Sequence, residues 1–481
     1  MPATHSDRHS RKEPYPRWNI LLSNGRFPVS LDLARQLQKG GHNVYTVDPM
    51  HFHVCKFSRA VKYSWQSPAP SLDPEGYIAT VKMAVLKAKV DLIIPMHEEI
   101  IYLTECNEPE ITKRLFAPSF LETYSLHNKW EFSEMLGRIG LDRPEAHFCR
   151  SIEDVKKLDM TREWALKPTL GRSATGVHHL KPGEEPAWSS VDITPKTPHV
   201  AQEWLKGNRY CTYGIWRRGK VQAFAIYPVL ETIDGSSSVY FEATEHEGIR
   251  EYCNTFARRY NITGQLAFDF IETGVEEGEL RRGPHGIPRG GKYRTLGLRT
   301  KRNKATTQAG SASTSTTTTS SRLVAIECNP RATSGIHLWS GTPKLAAAFA
   351  DNSVQLPEMA ARPGRARQTG PGMMMWEHKE ASFKRYLTHL ARLLGTKDVM
   401  FSWRDLGPVL VQPFLLASYY RICHDRGGMP LPEMFQSDVI WKPCLFGQSK
   451  EVGLKVGRPL KETIPGAVVK PQAEMDTPEH T

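Results

Sequence analysis

The sequence predicts a mixed α/β and α+β fold: an N-terminal α/β domain, a second domain built on strands, and a helical C-terminal extension. Strand and helix patterns alternate near the N-terminus, as in a βαβ unit. Six strand-like segments, most of them joined by short turns, then follow between about residues 145 and 330. Beyond about residue 345 the pattern is helical. A chain of 481 residues is long enough for roughly three such domains.

The N-terminal segment supports the α/β prediction. The stretch "WNILLSNG" (18–25) predicts a strand, "PVSLDLARQLQKGG" (28–41) an amphipathic helix that ends at glycines, and "HNVYTVDP" (42–49) the next strand. The turn "SNGRFP" lacks the G-x-G-x-x-G pattern, so we expect no dinucleotide site there. The stretch "VDLIIPMHEE" (90–99) predicts a buried strand that ends in polar residues, at the edge where α/β sheets bind ligands.

Domain boundaries are predicted where the composition changes. The predicted segments are a disordered N-terminus (1–17), the α/β domain (18–124), the second domain (125–345), the helical extension (346–465) and a disordered tail (466–481). Residues 275–321 interrupt the second domain with a basic, Gly-rich stretch that ends in "SASTSTTTTSS". Such a composition cannot bury a core, so we predict a disordered insertion between two paired strands.

The net charge of +12 does not indicate a nucleic-acid binder. Nine basic residues and no acidic ones lie between Arg281 and Lys304, and three more lie in "RPGRAR" (362–367), which accounts for the whole excess. Charge runs in Gly- and Pro-rich sequence are typical of solvated loops. We therefore expect no nucleic-acid partner.

Several features predict a cytoplasmic protein that is not attached to a membrane. The eight cysteines form neither a CxxC motif nor a close framework, which favours reduced thiols and argues against a zinc site. The first residues lack the apolar stretch of a secretory signal. The stretch "LGPVLVQPFLLASYY" (406–420) is too short for a membrane span and contains two prolines, so we interpret it as a buried helix.

Polar residues interrupt the strand "LVAIECNPR" (323–331), where a core strand would be apolar throughout. Successive strand side chains point to opposite faces, so Glu327 and Asn329 are expected on one face, and Ile326 and Cys328 on the other. Arg331 follows immediately. The sequence therefore predicts a polar site along this strand.

The preceding strand contains a matching carboxylate, Asp269, between Phe268 and Phe270. Burying a carboxylate costs free energy unless the group is paired. Taken alone, Asp269 could be paired with a backbone N–H or with a lysine. Together with Glu327 and Asn329, however, it makes a cluster of oxygen ligands only. Hard cations such as magnesium prefer such clusters, with water and phosphate completing the shell. We predict a magnesium site.

A phosphate-binding loop is predicted near this site. In "ALKPTLGRSATGV" (165–177), Lys167 ends a strand, and Gly171 and Gly176 lie in a Gly-, Ser- and Thr-rich loop that can offer backbone N–H groups to phosphate. It is not a Walker A loop. The next strand, "VAQEWLKGNRY" (200–210), can present backbone groups and Glu203 to an adenine. Earlier, "NKWEFSEMLGRIG" predicts a helix capped by Asn128 and ended at Gly140.

The order of these motifs resembles that of the ATP-grasp superfamily: a lysine in "HNKWEF", a second in "LKP", a glycine-rich lid, a "QEWLKG" hinge, then "FDF" and "ECNPR". The resemblance covers about residues 18–345 and implies a pre-ATP-grasp domain followed by a two-lobed ATP-grasp domain. The segment "DVMFSWRDLGPVLVQPF" (398–414) is similar to carbamoyl-phosphate-synthase-like members found in fungal secondary-metabolite clusters.

The resemblance also implies roles for individual residues. ATP would be bound by Lys129, Lys167, Gly171, Arg172, Ser173, Gly176, Gln202, Glu203, Leu205 and Asn208. Magnesium, with manganese as an alternative, would be bound by Asp269, Glu327 and Asn329. Arg331 would hold the transferred phosphoryl group or the acyl phosphate, so Arg331 and Lys167 are the expected catalytic residues.

Two roles stay open. Many relatives have an acidic residue for the ribose after the hinge glycine, whereas Asn208 and Arg209 follow Gly207 here, so either Glu203 or Asn208 could take this role. Ser334, His337 and Trp339 are expected to border the acceptor pocket, and Arg331, Ser334 and His337 are the expected substrate-binding residues. His337 could be a base or could serve packing.

The implied activity is an ADP-forming ligase that activates a carboxylate as an acyl phosphate and joins it to an amine or a thiol. The expected partners are a small carboxylic acid and an amine, whose identity the sequence leaves open, as it does the oligomeric state. One alternative is a carboxylase or carbamoyl-phosphate-type enzyme that uses bicarbonate, although neither an "MKM" motif nor a glutaminase segment is present. A non-catalytic ATP-binding protein is another.

Overall fold

The computed structural model describes residues 16–274, 321–349, 359–375, 382–441 and 447–471, apart from short gaps at 173–175, 185, 187, 234–236, 430, 432–433, 435–436, 456 and 467. Of the segments predicted to be disordered (1–17, 275–321 and 466–481), residues 1–15, 275–320 and 472–481 therefore lie outside the described residues.

The N-terminal domain is a parallel sheet of four strands in the order β3-β2-β1-β4. Its strands are β1 (Asn19–Leu22), β2 (Asn43–Asp48), β3 (Tyr63–Gln66) and β4 (Leu92–Ile94). Its helices are α1 (Pro28–Lys39), α2 (Pro74–Ala88), α3 (Glu99–Glu105) and α4 (Pro109–Thr112). Ile20 packs into the core that contains α1, and Leu21 into the one that contains α2. Both faces are thus covered, as parallel sheets require.

Two helices, α5 (Phe120–His127) and α6 (Lys129–Arg138), lead into a small antiparallel sheet. Asn128 caps α6 as predicted, because its Oδ1 accepts hydrogen bonds from the backbone of Trp130 and Glu131. The sheet has the strand order β5-β8-β6-β7, with a short helix α7 beside it. These elements are β5 (Ala146–Cys149), α7 (Ile152–Lys156), β6 (Trp164–Pro168), β7 (His178–Leu180) and β8 (His199–Glu203).

A larger sheet follows, in the order β15-β14-β9-β10-β16. Its strands are β9 (Asn208–Arg217), β10 (Lys220–Pro228), β14 (Gly264–Glu272), β15 (Leu323–Asn329) and β16 (Met359–Ala360). Beside it lie the ribbon strands β11 (Thr232–Ile233), β12 (Ser237–Ser238), β13 (Tyr240–Glu242) and β17 (Ala366–Gln368), and the helices α8 (Glu247–Arg259) and α9 (Lys344–Phe349). On one face of β14, Phe268 packs against Phe132 of α6 and Phe256 of α8.

The C-terminal extension is mainly helical, as predicted, although the short strands β16 and β17 also fall within its predicted bounds. Its first two helices pack on the strands beside the large sheet, and the later ones pack on the N-terminal domain. Its helices are α10 (Gly370–Met374), α11 (Phe383–Gly395), α12 (Gly407–Leu410), α13 (Gln412–Asp425), α14 (Gly447–Glu451) and α15 (Leu460–Thr463). Buried Arg26 contacts Asp48 of β2 at 3.1 Å and Asp438 of the extension at 2.5 Å. The α/β and α+β class predicted from the sequence is confirmed.

The prediction of one buried helix at 406–420 is wrong. This stretch forms α12 and the first part of α13, and only one side of it is covered. Leu410 is 69% exposed and Phe414 58% exposed. An apolar helix has the same composition whether it is fully buried or lies at the surface, so the sequence does not distinguish a buried helix from a half-exposed one. Among the described residues, no helix combines the length and the apolar composition that crossing a membrane requires.

Strands β14 and β15 are neighbours, with Glu272 opposite Leu323, so the insertion joins paired strands. The backbone N–H of Thr273 donates to the carbonyl of Arg322 at 2.9 Å, which closes the ladder at this end. We predict that replacing residues 278–320 by a short Gly-Ser turn leaves Tm unchanged or slightly higher, since a shorter loop costs less entropy to close. Differential scanning calorimetry checks this. A fall in Tm of more than about 10 °C would show that the segment contributes to the core.

Candidate active site

A cavity of about 470 Å³ lies between the small sheet and the large sheet. Its lining comes from β6 and β8 on one side and from β9, β14 and β15 on the other. Of the residues with predicted roles, those that line it are Lys129, Lys167, Gly171, Arg172, Gln202, Glu203, Leu205, Asp269, Glu327, Asn329, Arg331 and Ser334. Ser173 lies outside the described residues.

The two carboxylates meet across neighbouring strands. Asp269 of β14 pairs directly with Glu327 of β15, and Asn329 follows two residues later on the same face. A bulge between Asp269 and Phe270 leaves Ile326 without a partner in the ladder. Ile326 consequently lines the cavity, so the prediction that it shares a face with Cys328 is wrong. Cys328 lies in the core, as predicted.

Asp269 and Glu327 form a pair that favours a cation. Burial and, after it, the charge of Glu327 raise the pKa of Asp269 to about 6. The described residues contain no cluster of three or more His, Cys, Asp or Glu side chains that could hold a metal. The donor set is instead two carboxylates and the amide of Asn329, whose Oδ1 accepts a hydrogen bond from Arg331 at 3.1 Å. Oxygen donors of this kind fit magnesium, which takes its remaining ligands from water and phosphate.

Two buried lysines face these carboxylates. Lys129, the first residue of α6, donates from Nζ to the backbone oxygen of Gly171 at 3.0 Å and lies 3.8 Å from Glu327 Oε1. Lys167, on β6, donates to Gln202 Oε1 at 2.8 Å. Burial lowers the pKa of Lys167 to about 8, against the raising effect of Glu327. Cations on one side and acids on the other are suited to phosphate bound through a metal.

The end of β8 and the segment that follows it form the remaining wall. Glu203 and Leu205 line the cavity, and Glu203 accepts hydrogen bonds from Arg322 at 3.1 and 3.2 Å. Gly207 is required here, because a Cβ at this position would lie 2.0 Å from the carbonyl oxygen of Glu272. Asn208 does not line the cavity. Of the two residues left open for the ribose, Glu203 is the one at the cavity wall.

Arg331 is held by a residue that the sequence analysis did not assign. Its Nε and Nη2 lie 3.0 and 2.8 Å from Glu98 Oε1, and Arg172 Nη1 contacts the other oxygen of Glu98 at 2.8 Å. Burial alone would raise the pKa of Glu98, but Arg172 and Arg331 together hold it well below its usual range. The sequence signal for Glu98 was the polar end of "VDLIIPMHEE". This pattern indicates the ligand-binding edge of the sheet, but it does not indicate which side chain Glu98 contacts.

The residues that follow Arg331 have different surroundings. Ser334 lines the cavity, whereas His337 and Trp339 do not. His337 is buried, with Nδ1 2.8 Å from Asp32 Oδ2 of α1, and Trp339 is part of the core. This environment favours the packing role of His337 over the role of a base.

Comparison with known proteins identifies the fold. No protein-family model and no curated protein matches the sequence. The structure is similar to N5-carboxyaminoimidazole synthetase from Staphylococcus aureus complexed with ADP, with a TM-score of 0.53, 13% identity, and coverage of 75% of this chain and 85% of that one. It is also similar to N5-carboxyaminoimidazole ribonucleotide synthetase in an ADP complex, with a TM-score of 0.51, 12% identity, and coverage of 73% and 81%. The chain therefore has the ATP-grasp fold.

Proposed function

We propose that this chain is an ATP-dependent, ADP-forming ligase that activates a carboxylate as an acyl phosphate and joins it to an amine. Its substrates would be small molecules such as amino acids, in secondary-metabolite biosynthesis. One observation carries the proposal: two lysines, two paired carboxylates and a buried arginine converge on a single cavity of about 470 Å³. The fold shared with two enzymes crystallised with ADP supports nucleotide binding.

Lys129 and Lys167 would bind the phosphates of ATP. Both are buried and already contact acceptors at the cavity, Gly171 O and Gln202 Oε1, that a phosphate oxygen can replace or supplement. Gly176 adopts a positive φ of 70°, which glycine permits, at the end of the loop that follows Lys167. Closure of this loop over the phosphates would exclude water that would otherwise hydrolyse an acyl phosphate.

Asp269, Glu327 and Asn329 would hold magnesium. Bound there, the ion neutralises phosphate charge and orients the terminal phosphate. The two carboxylates would supply the negative charge that retains the ion. The amide oxygen of Asn329 also accepts a hydrogen bond from Arg331. The donor set argues against a degenerate, non-catalytic ATP-binding protein, because such a protein has no need of two carboxylates paired at the cavity wall.

Arg331 would hold the acid and the developing acyl phosphate. Its planar guanidinium is oriented by Glu98 and Asn329, so its position is fixed before substrate arrives. A side chain of this shape binds carboxylate or phosphate oxygens in pairs. Ser334 borders the same space. The rate acceleration would come from positioning of the substrates and neutralisation of their charge, and not from a covalent intermediate with the protein.

We predict that Glu327→Gln and Asp269→Asn each lower the rate of ADP formation at least about 100-fold, because each removes charge from the cation site without removing volume. The measurement is a phosphate-release screen of carboxylic acids against amines with ATP and magnesium, followed by kinetics on the best pair. Circular dichroism and Tm of both variants should remain close to wild type.

The matched control is Glu242→Gln, which neutralises a carboxylate on β13 that does not line the cavity. This variant should keep ordinary turnover. If Glu327→Gln or Asp269→Asn also turns over normally at saturating magnesium, the assignment of the metal site is wrong. If bicarbonate proves to be the only acid needed, the carboxylase alternative replaces the ligase.

The lowered pKa of Lys167 predicts a pH dependence of nucleotide binding. Below about pH 8 the side chain carries its proton and attracts phosphate, and above that pH the free protein loses this charge. The affinity for ADP without metal should therefore fall as pH rises from 8, by up to about tenfold per unit. Lys167→Arg keeps its charge and should flatten the profile. Isothermal titration calorimetry between pH 7 and 9.5 measures this, and a flat wild-type profile would contradict it.

A further inference from the structure

A second cavity, of about 220 Å³, lies between the small sheet, the start of α6 and the C-terminal extension. We call it the extension cavity. Four aromatic side chains line it, from Tyr124, Trp130, Phe148 and Trp441. They pack in two pairs: the ring centroids of Trp130 and Phe148 lie 5.5 Å apart, and those of Tyr124 and Trp441 5.7 Å apart. Because a cavity of about 150 Å³ already holds benzene, this one has room for a single ring with a short side chain.

The rim of the extension cavity is positively charged. Lys196 and Arg458 line the cavity and are exposed, so it opens to solvent on their side. Neither side chain has an ion-pair partner among the described residues. The described lining contains one acid, Glu131, whose Oε1 already accepts a hydrogen bond from the backbone of Leu460 at 2.7 Å. Two cations against one carboxylate leave the rim with a net positive charge.

A buried hydroxyl in the wall adds a hydrogen-bond donor. Tyr124 is 3% exposed, and its hydroxyl accepts a hydrogen bond from Asn128 Nδ2 at 3.3 Å. A phenol hydroxyl can donate as well as accept, and no described residue accepts its proton. Aromatic walls, a free donor and a positive rim together match a flat apolar ligand with a carboxylate at one end.

The extension cavity lies directly behind the two lysines of the active-site cavity. Asn128, which precedes Lys129 in the chain, lines the extension cavity. Pro168, which follows Lys167, lines both cavities. The backbone N–H of Lys129 donates to the carbonyl of Thr169, another lining residue, at 2.9 Å. A ligand in the extension cavity would therefore contact the backbone that positions both lysines.

We propose that the extension cavity binds a small aromatic carboxylic acid, and that this ligand raises the affinity of the active-site cavity for nucleotide. The ring would lie among the aromatic side chains, with its carboxylate toward Lys196 and Arg458. An occupant contacts both the small sheet and the extension, so it favours one arrangement of these parts and of the two lysines between them. The binding step stands by itself, whereas the effect on nucleotide rests on the proposed function.

Calorimetry with phenylacetate tests the site, and phenylacetamide is the neutral probe of the same shape. Titration of the full chain without nucleotide should give one site for phenylacetate, with a dissociation constant of about 0.1 to 1 mM, and binding at least about tenfold weaker for phenylacetamide. Saturating phenylacetate should then lower the dissociation constant of ADP by about 3- to 10-fold. Saturating ADP should lower that of phenylacetate by the same factor, because coupling between two sites is reciprocal.

The double variant Lys196→Ala/Arg458→Ala removes the positive rim. It should weaken phenylacetate binding at least about tenfold and leave the affinity for ADP alone unchanged, because both side chains are exposed and lie outside the active-site cavity. The matched control is Lys62→Ala/Lys113→Ala, which removes two exposed cations that line neither cavity. This control should bind phenylacetate as wild type does.

The variant Arg331→Met distinguishes the extension cavity from the active site, where a carboxylate is also expected. It should bind phenylacetate as wild type does. Loss of binding in Arg331→Met, or full binding in the Lys196→Ala/Arg458→Ala variant, overturns the proposal. So does a wild type that fails to bind phenylacetate at about 10 mM, or that binds it without a change in the affinity for ADP. A wild type that binds phenylacetate but no ADP supports the site and contradicts the proposed function, and with it the effect on nucleotide.

Discussion

The pairing of Asp269 with Glu327 across two neighbouring strands is the constraint on which the site depends. Two half-buried carboxylates held opposite each other at the cavity wall repel, and burial together with this repulsion raises the pKa of Asp269 to about 6. Such a pair is stable only when positive charge lies close to it. The surroundings supply that charge from Lys129, Lys167 and Arg331, and leave space between them for a metal and phosphates.

Each positive group comes from a different part of the chain. Lys129 is placed by the capped start of α6, Lys167 by the end of β6, and Arg331 by the end of β15. Glu98, from the segment between β4 and α3, joins Arg331 to Arg172 and so brings the N-terminal domain into the site. The C-terminal extension secures that domain in turn through the contacts of Arg26. The site is therefore a product of all three parts of the fold.

The sequence predicted correctly those features that depend on neighbouring residues along the chain. It did not predict contacts between residues that are far apart in the sequence. Strand alternation correctly placed Glu327 and Asn329 on one face, but it could not anticipate the bulge that turns Ile326 into the cavity. The polar end of β4 was recognised, yet nothing local couples Glu98 to Arg331, which lies more than two hundred residues away. The exposed apolar sides of the C-terminal helices were missed for the same reason, because composition does not reveal what covers a surface.

The central claim is that a carboxylate is activated by the terminal phosphate of ATP before the amine reacts. Positional isotope exchange in ATP labelled at the β,γ-bridge tests this step directly, with the acid and amine found by screening. We predict that scrambling of the label requires the acid and magnesium but not the amine, and that the products of the full reaction are ADP and phosphate. Scrambling that needs the amine, or AMP and pyrophosphate as products, would contradict the account.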